Sequence, residues 1–243
     1  MKWYGLLGKT LKHSFSKAYF ANKFSLEHID DCRYENFELA SINELPELLS
    51  SNPDIQGLNV TIPYKEEVLP FLAYKNEIVK EINACNCIKI SEGKLSGYNT
   101  DVIGFQQSLE KLLKSHHKSA LILGTGGSAK AVRYALKTLG INYHNVSRTK
   151  TSSTITYEEL DAEIMNSHQL VINTSPIGMY PNIQEAPAIP YQYVTPGHLL
   201  FDLTYNPEKT LFLKKGEEKG AAISNGSAML ILQAEESWRI WNS

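Results

Sequence analysis

Apolar and polar positions fall into two successive α/β series along the chain. In the first hundred residues, strand-like runs at 2–7, 34–39, 56–62 and 85–90 alternate with segments of helical spacing such as 41–49, an order that predicts an α/β domain. Ser41 with Glu44 three residues on makes a capping-box pattern, and the early Pro46 is tolerated in a first turn. Ser91-Glu92-Gly93-Lys94 reads as a turn. Next, Ile103, Phe105, Leu109, Leu112 and Leu113 recur at the spacing of an amphipathic helix over 102–113, with Asp101 near its N-cap. A polar stretch at 114–119 follows. The second series has apolar strands at 120–123, 142–146, 169–172, 199–203 and 221–224, a helix running to about residue 139 and another at about 228–241. The expectation is two α/β domains, 1–101 and 102–225, joined near residue 101 by the connecting helix.

The stretch Gly57-Leu58-Asn59-Val60-Thr61-Ile62-Pro63-Tyr64-Lys65 carries the first sign of chemistry. Alternation along a strand puts Leu58, Val60 and Ile62 on one face and Asn59 and Thr61 on the other, so the polar pair is expected to look into a cleft or onto solvent. Pro63 stops the strand and suits the first position of a helix, which puts Lys65 in that helix's first turn. The positive end of the helix dipole disfavours a protonated amine there, so Lys65 is expected to be readied for proton transfer near neutral pH. Asp101, a carboxylate at a helix N-terminus, is expected to stay ionised.

The second series opens on a dinucleotide-binding fingerprint, Gly124-Thr125-Gly126-Gly127-Ser128-Ala129, set between a short strand and a helix. Gly124 permits the tight turn, Gly126 lets backbone approach a pyrophosphate, and Ala129 stands in for the third glycine where helix meets strand. The helix N-terminus supplies the anion site. The next strand ends in Ser147-Arg148-Thr149-Lys150, where an enzyme for the unphosphorylated cofactor carries Asp or Glu. Hydroxyls and cations there favour NADP(H), the plainer reading being a solvated basic turn. Two more loops, Asn173-Thr174-Ser175-Pro176 and Leu203-Thr204-Tyr205, lie at the carboxyl ends of strands, where open α/β sheets bind ligands. Gly226 opens the last helix and would allow close approach to a ligand, while Met229 is either a core side chain or a nicotinamide contact.

Composition narrows the class. At 243 residues, with 42% hydrophobic and 21% charged residues, the chain has the balance of a globular protein long enough for two domains. A net charge of -2 gives no electrostatic case for nucleic acid or an acidic membrane, so a small-molecule substrate is expected. No apolar run approaches a membrane span and the start lacks the pattern of a signal peptide, which makes the cytoplasm the default location. Three cysteines without zinc-type pairing suggest reduced thiols, with Cys85 and Cys87 packed as small apolar residues around Asn86. No metal is expected. His116 and His117, in a polar connector, are expected to be solvated.

Together these residues resemble the shikimate dehydrogenase family: His13-Ser14-Phe15-Ser16, the 57–65 motif, Ala84 to Asn86, Asn99-Thr100-Asp101, the glycine loop, and Met229-Leu230-Ile231-Leu232-Gln233-Ala234 match in order over nearly the whole chain. The resemblance implies a substrate domain and a Rossmann-type NADP domain with a cleft between them, the segment 226–243 returning to complete the substrate side. It implies reversible reduction of 3-dehydroshikimate to shikimate. Ser14 and Ser16 would bind the substrate carboxylate, Asn59, Thr61, Asn86 and Gln233 the ring hydroxyls, and Tyr205 would be a further contact. Lys65 and Asp101 would form the acid–base pair. Cofactor contacts would come from Gly124, Thr125, Gly126, Gly127, Ser128, Ala129, Ser147, Arg148, Thr149, Thr174, Leu203, Gly226 and Met229. Such an enzyme would act as a monomer or homodimer. The chain departs from the family pattern at Lys17, at Phe20-Ala21, at Cys87 and at Ser152, the last standing where a basic residue is usual. Two rival readings are a quinate or dual quinate/shikimate dehydrogenase and a non-catalytic dinucleotide-binding sensor.

Overall fold

A computed structural model describes every residue except Lys12 and His13, so the His13 part of the first motif lies outside the described residues. The chain divides into two compact units, Met1–Thr100 with Ala234–Ser243, and Asp101–Gln233.

The first unit is built on a mixed six-stranded sheet. Its elements are β1 (Lys2–Gly8), α1 (Phe15–Leu26), β2 (Cys32–Glu38), α2 (Leu45–Ser51), β3 (Ile55–Val60), α3 (Tyr64–Glu67), β4 (Tyr74–Lys75), α4 (Glu77–Ile82), β5 (Cys87–Ser91) and β6 (Lys94–Tyr98). The strand order is β2-β1-β3-β5-β6-β4. β1 pairs in parallel with β2 and β3, β5 runs antiparallel to both β3 and β6, and β4 joins parallel to β6. The capping box forms as expected, Glu44 accepting from the Ser41 backbone N–H at 3.0 Å ahead of α2. The Glu92-Gly93 turn also forms, with φ values of 50° and 72°. It closes a two-residue hairpin that pairs Ser91 with Lys94. The return strand β6 goes unseen in the sequence because Lys94-Leu95-Ser96-Gly97-Tyr98 lacks a clean alternation.

The second unit is a doubly wound parallel sheet. Its elements are α5 (Thr100–Glu110), β7 (Ser119–Leu123), α6 (Gly127–Thr138), β8 (Asn142–Ser147), β9 (Thr154–Thr156), α7 (Ala162–Ser167), β10 (Leu170–Asn173), β11 (Leu199–Asp202), α8 (Leu211–Glu217), β12 (Ala222–Ser224) and α9 (Ser227–Trp241). The order β12-β11-β10-β7-β8-β9 reverses direction at β7, and every pairing is parallel. Leu121, Ile122, Val171, Ile172, Leu200 and Phe201 are fully buried, as central parallel strands with both faces covered require. α5 stops at Glu110, short of the expected 113.

α9 straddles the division, its residues from Ala234 onward belonging to the first unit. There the Trp241 indole donates to the Ile88 carbonyl at 2.9 Å and stacks on Tyr4. A Cβ on Gly57 would overlap that indole, which explains the glycine at the head of the 57–65 motif. Lys23, 8% exposed, bonds both Glu27 and Glu235 at 2.7 and 2.9 Å, and Tyr19 donates to Glu235, so α1 and the end of α9 are tied by charge.

Candidate functional site

In the first unit, the residues singled out by the sequence converge on the C-terminal end of β3. The Val60 N–H donates to the Asn86 carbonyl at 2.8 Å, and the Cys85 N–H donates to the Lys65 carbonyl at 2.8 Å, so β3, α3 and the 84–86 segment meet through backbone. Asn99 closes the group by donating to the Ala84 carbonyl at 3.0 Å. Thr100 follows, its N–H donating to Asn86 Oδ1 at 2.6 Å and its hydroxyl accepting from Asn86 Nδ2 at 3.1 Å. Asp101 is the next residue along α5.

Three expectations about the 57–65 stretch are corrected. β3 ends at Val60, so Ile62 lies beyond the strand and is 77% exposed rather than sharing the buried face of Leu58 and Val60. Pro63 is the residue before α3, not its first, and α3 is a single four-residue turn, so the dipole acting on Lys65 is that of one turn only. Asn59 does not look into open space. It is 8% exposed, accepts from the Tyr34 hydroxyl at 2.9 Å through Oδ1, and donates through Nδ2 to Ser237 Oγ at 2.8 Å. Thr61 is half-buried, its N–H continuing the ladder to the Leu7 carbonyl at 2.9 Å.

Ser14 and Ser16 flank the start of α1. Tyr34, which donates to Asn59 Oδ1 at 2.9 Å, has its ionisation pushed well up by burial. Ser14 Oγ is buried with no hydrogen-bond partner among the described residues. Buried polar atoms normally find partners, and Ser14 Oγ shares this unpartnered state with Arg33 Nε, Asn36 Oδ1 and Asn145 Oδ1.

The second unit presents a phosphate cradle at the carboxyl end of β7. Gly124 has φ of 111°, a conformation natural only to glycine, and a Cβ there would come within 2.9 Å of Thr174 Oγ1. Thr174 in turn donates to the Leu123 carbonyl at 2.8 Å, locking the turn from the side of β10. A Cβ on Gly126 or Gly127 would meet nothing within 4 Å, and Thr125 and Ser128 are exposed. Open space therefore faces the first turn of the twelve-residue α6, which carries no acidic side chain, and the residues fit a bound pyrophosphate. Ala129 is fully buried where α6 packs on the sheet.

At the end of β8, Arg148 and Thr149 are exposed, and Ser147 turns back to the Thr149 carbonyl. Lys150 is ion-paired with Glu159, which also caps Thr156 by accepting from its N–H at 2.8 Å. The neighbouring carboxyl ends are braced by Asp202. It is fully buried and accepts from Asn173, from the Thr204 N–H and from the Thr210 hydroxyl at 3.1, 3.0 and 2.6 Å. Burial raises its pKa against the pull of those donors.

Two other site residues have structural reasons of their own, and Met229 takes the core position that was one of its two readings. Gly226 is glycine because its α-carbon lies against the chain itself, where a Cβ would overlap the Leu203 carbonyl, and its N–H donates to the Thr204 carbonyl at 3.1 Å. Met229 is 9% exposed, and its carbonyl lies 2.7 Å from where a Cβ on Gly104 would sit, so α5 and α9 pack backbone to backbone. Tyr205 is 36% exposed and Gln233 half-buried. Sequence reasoning missed Tyr34 and Ser237. Ser237 lies four residues beyond Gln233 and so on the same helix face, a spacing that could have pointed to it. Tyr34, one aromatic in a strand, gives no such signal.

Among the described residues no group of three or more His, Cys, Asp or Glu side chains could hold a metal ion, and no helix is long and apolar enough to cross a membrane.

Residues 6–88, which lie in the first unit, match the model of the shikimate dehydrogenase substrate binding domain. Over 258 aligned positions the chain is 38% identical to the shikimate dehydrogenase (NADP(+)) of Caldicellulosiruptor bescii, covering 99% of this chain and 89% of that protein. Among solved structures, the shikimate dehydrogenase of Aquifex aeolicus superposes with a TM-score of 0.87 at 32% identity, covering 100% of this chain and 92% of that one. The quinate dehydrogenase of Corynebacterium glutamicum, solved in complex with NAD, gives 0.88 at 26% identity, covering 99% and 93%. Identity of this level over essentially the full length, with the 57–65 motif and the glycine loop in place, leaves one conclusion: the chain belongs to the shikimate dehydrogenase family.

Proposed function

We propose that the protein catalyses the reversible, NADP(H)-dependent interconversion of 3-dehydroshikimate and shikimate. The observation that carries this reading is the 38% identity, across 99% of the chain, with an NADP(+)-dependent shikimate dehydrogenase. NADPH, when bound, supplies the hydride for carbon 3 of the substrate. The chain's own residues bind, orient and manage one proton.

Ser14 and Ser16 receive the substrate carboxylate, and the orphan hydroxyl of Ser14 gains there the partner it lacks. Thr61, Asn86 and Gln233 hold ring hydroxyls, with Tyr205 as a further contact. Lys65 gives a proton to the carbonyl oxygen at carbon 3 in the reductive direction and takes it back in the oxidative one, while Asp101 orients the lysine and shares its hydrogen-bond network. The backbone of Gly124 to Ser128 and the N-terminus of α6 hold the pyrophosphate of the cofactor, and Arg148 meets its 2'-phosphate.

A second reading is oxidation of quinate or use of NAD, and one feature favours the NAD part of it. Lys150 is engaged with Glu159, and Ser152 stands where the family has a basic residue, so Arg148 meets the phosphate with less cationic help. The deciding experiment measures initial rates of nicotinamide reduction with shikimate or quinate against NADP or NAD. The proposal expects the highest rate with shikimate and NADP. Comparable quinate or NAD rates would replace it with the second reading, and no rate in any of the four would point to a non-catalytic sensor.

A further inference from the structure

In the first unit a buried hydrogen-bond network converges on one hydroxyl from the chain's last helix. Ser237 is fully buried, as are Asn59, Asn86 and Thr100 to within 8%. Asn59 Nδ2 donates to Ser237 Oγ at 2.8 Å, and the Thr100 hydroxyl lies 3.2 Å from the same oxygen. Thr100 Oγ1 already accepts from Asn86 Nδ2 at 3.1 Å, and Asn86 Oδ1 already accepts the Thr100 N–H at 2.6 Å. The Thr100 hydroxyl also lies 3.3 Å from Asn86 Oδ1, so it is shared between Asn86 and Ser237. Ser237 Oγ thus accepts from Asn59 and is hydrogen-bonded to Thr100.

At the other end, the Tyr34 hydroxyl donates to Asn59 Oδ1 at 2.9 Å. The chain of contacts thus runs from Tyr34 through Asn59 and Ser237 to Thr100 and Asn86. Thr100 is the residue before Asp101.

We propose that Ser237 and Asn59 are positioning residues for this reaction: their buried hydrogen bonds set the Asn86 amide and the turn that presents Asp101, and Asn59 acts through its neighbours rather than as a substrate ligand. This rests on the substrate reading given above. Removing the Ser237 hydroxyl takes a hydrogen-bond partner from both Asn59 Nδ2 and the Thr100 hydroxyl in a dry interior, leaving each only its longer contact to Asn86, and the side chains must reorient.

The test compares Ser237→Ala, the hydroxyl-retaining Ser237→Thr and Tyr34→Phe with the wild-type enzyme, measuring kcat and KM for each substrate and hydrogen exchange at the Thr100 amide. Ser237→Ala is expected to raise the KM for shikimate about tenfold, the worth of one lost buried hydrogen bond, with the KM for NADP within about twofold. Ser237→Thr should recover much of the loss, and Tyr34→Phe should act in the same direction by about threefold. A lower melting temperature with both KM values unchanged in Ser237→Ala and Tyr34→Phe would overturn the proposal by showing a merely structural network. If Ser237→Ala does not fold, Tyr34→Phe decides by the same criterion. If the wild type does not act on shikimate, the substrate reading has failed, and amide exchange judges the network alone. Protection of the Thr100 amide falling at least about tenfold in Ser237→Ala would uphold the positioning role, and unchanged protection would end it.

Discussion

In the first unit, Asn59, Asn86, Thr100 and Ser237 come from a strand, a loop, a helix start and the last helix, and side-chain hydrogen bonds hold them together in a dry interior. In the second unit, the loop from Gly124 to Ala129 is six consecutive residues, shaped by backbone conformation and by the absence of side chains. The first arrangement places functional groups of particular identity and can fail one hydrogen bond at a time, each buried donor left unpaired costing about 1–3 kcal/mol. The second offers peptide N–H groups that any sequence carries, and it fails when a side chain intrudes. An enzyme that must move one proton accurately and hold one phosphate firmly has use for both.

The comparison is broken most sharply at Lys65. If it carries the proton, Lys65→Ala should lower kcat by about a hundredfold or more while NADP affinity is unchanged, as initial rates and fluorescence titration would register. A normal kcat would remove Lys65 from the mechanism. The matching strike on the second unit is Gly124→Ala. The left-handed φ of 111° and the nearness of Thr174 both oppose a side chain there. About tenfold weaker NADP binding or worse is expected from strain of roughly 1–3 kcal/mol, with shikimate affinity retained. Loss of both affinities together would mean that the two arrangements are not separable.

How much could be read from the sequence follows the same division. The glycine loop was legible because its information is local: β7, the loop and the start of α6 occupy one short stretch, and the backbone there does what the residue types allow. The alternation of strands and helices was legible for the same reason, and the capping box at Ser41 formed as written. The burial of Asn59 was not. Strand alternation puts it opposite Leu58, but the distant Tyr34 and Ser237, each bonded to it, together with Trp241 over Gly57, make that face of β3 an interior. The demand for glycine at 226 was hidden for a related reason, since the group that crowds it is the carbonyl of Leu203, more than twenty residues earlier.

A finer test concerns the phosphate end of the second unit, where side-chain identity matters again. Arg148→Ala should weaken NADPH about fivefold more than NADH if the guanidinium meets the 2'-phosphate, an exposed contact being worth less than a buried one. Equal losses would assign Arg148 to stacking on the adenine. Glu159→Gln, which frees Lys150 from its ion pair, should shift the preference toward NADPH by about twofold, the modest worth of an exposed pair.

The smallest effect belongs to the opposite ends of the same strands. Against the expectation that it is solvated, His117 is 4% exposed, and His168 and His198 are buried beside it in type, at 9% and 1%. Each precedes a strand, β7, β10 or β11, at its amino end. His117 accepts the Lys114 N–H at 3.0 Å through Nδ1 and has Nε2 against the Gly197 carbonyl. His198 repeats the pattern, accepting the Thr195 N–H at 3.0 Å and facing the Met165 carbonyl. In both rings one nitrogen must accept and the other donate, which only the neutral imidazole can do. His168 has Nδ1 at 2.9 Å from the Ile164 carbonyl and Nε2 at 2.9 Å from His144 Nδ1, contacts that either charge state of the ring can make. Burial lowers the pKa of all three, with His116, Lys114 and His198 adding to the effect at His117, and His144 at His168. The unfolded chain therefore binds protons first as pH falls, near the ordinary histidine value of about 6.5, and the folded state loses stability from there down to the depressed values. The carboxylates with lowered pKa, Glu159 and Glu235, lose their contribution only near and below the ordinary carboxylate range. Between pH 7.5 and 5.5 the urea midpoint should thus fall, and should fall less in His198→Gln, whose amide can still donate to the Met165 carbonyl. A midpoint flat over that range would show that these rings take up protons without cost, and that the amino ends of the strands, unlike the carboxyl ends, are indifferent to the charge they carry.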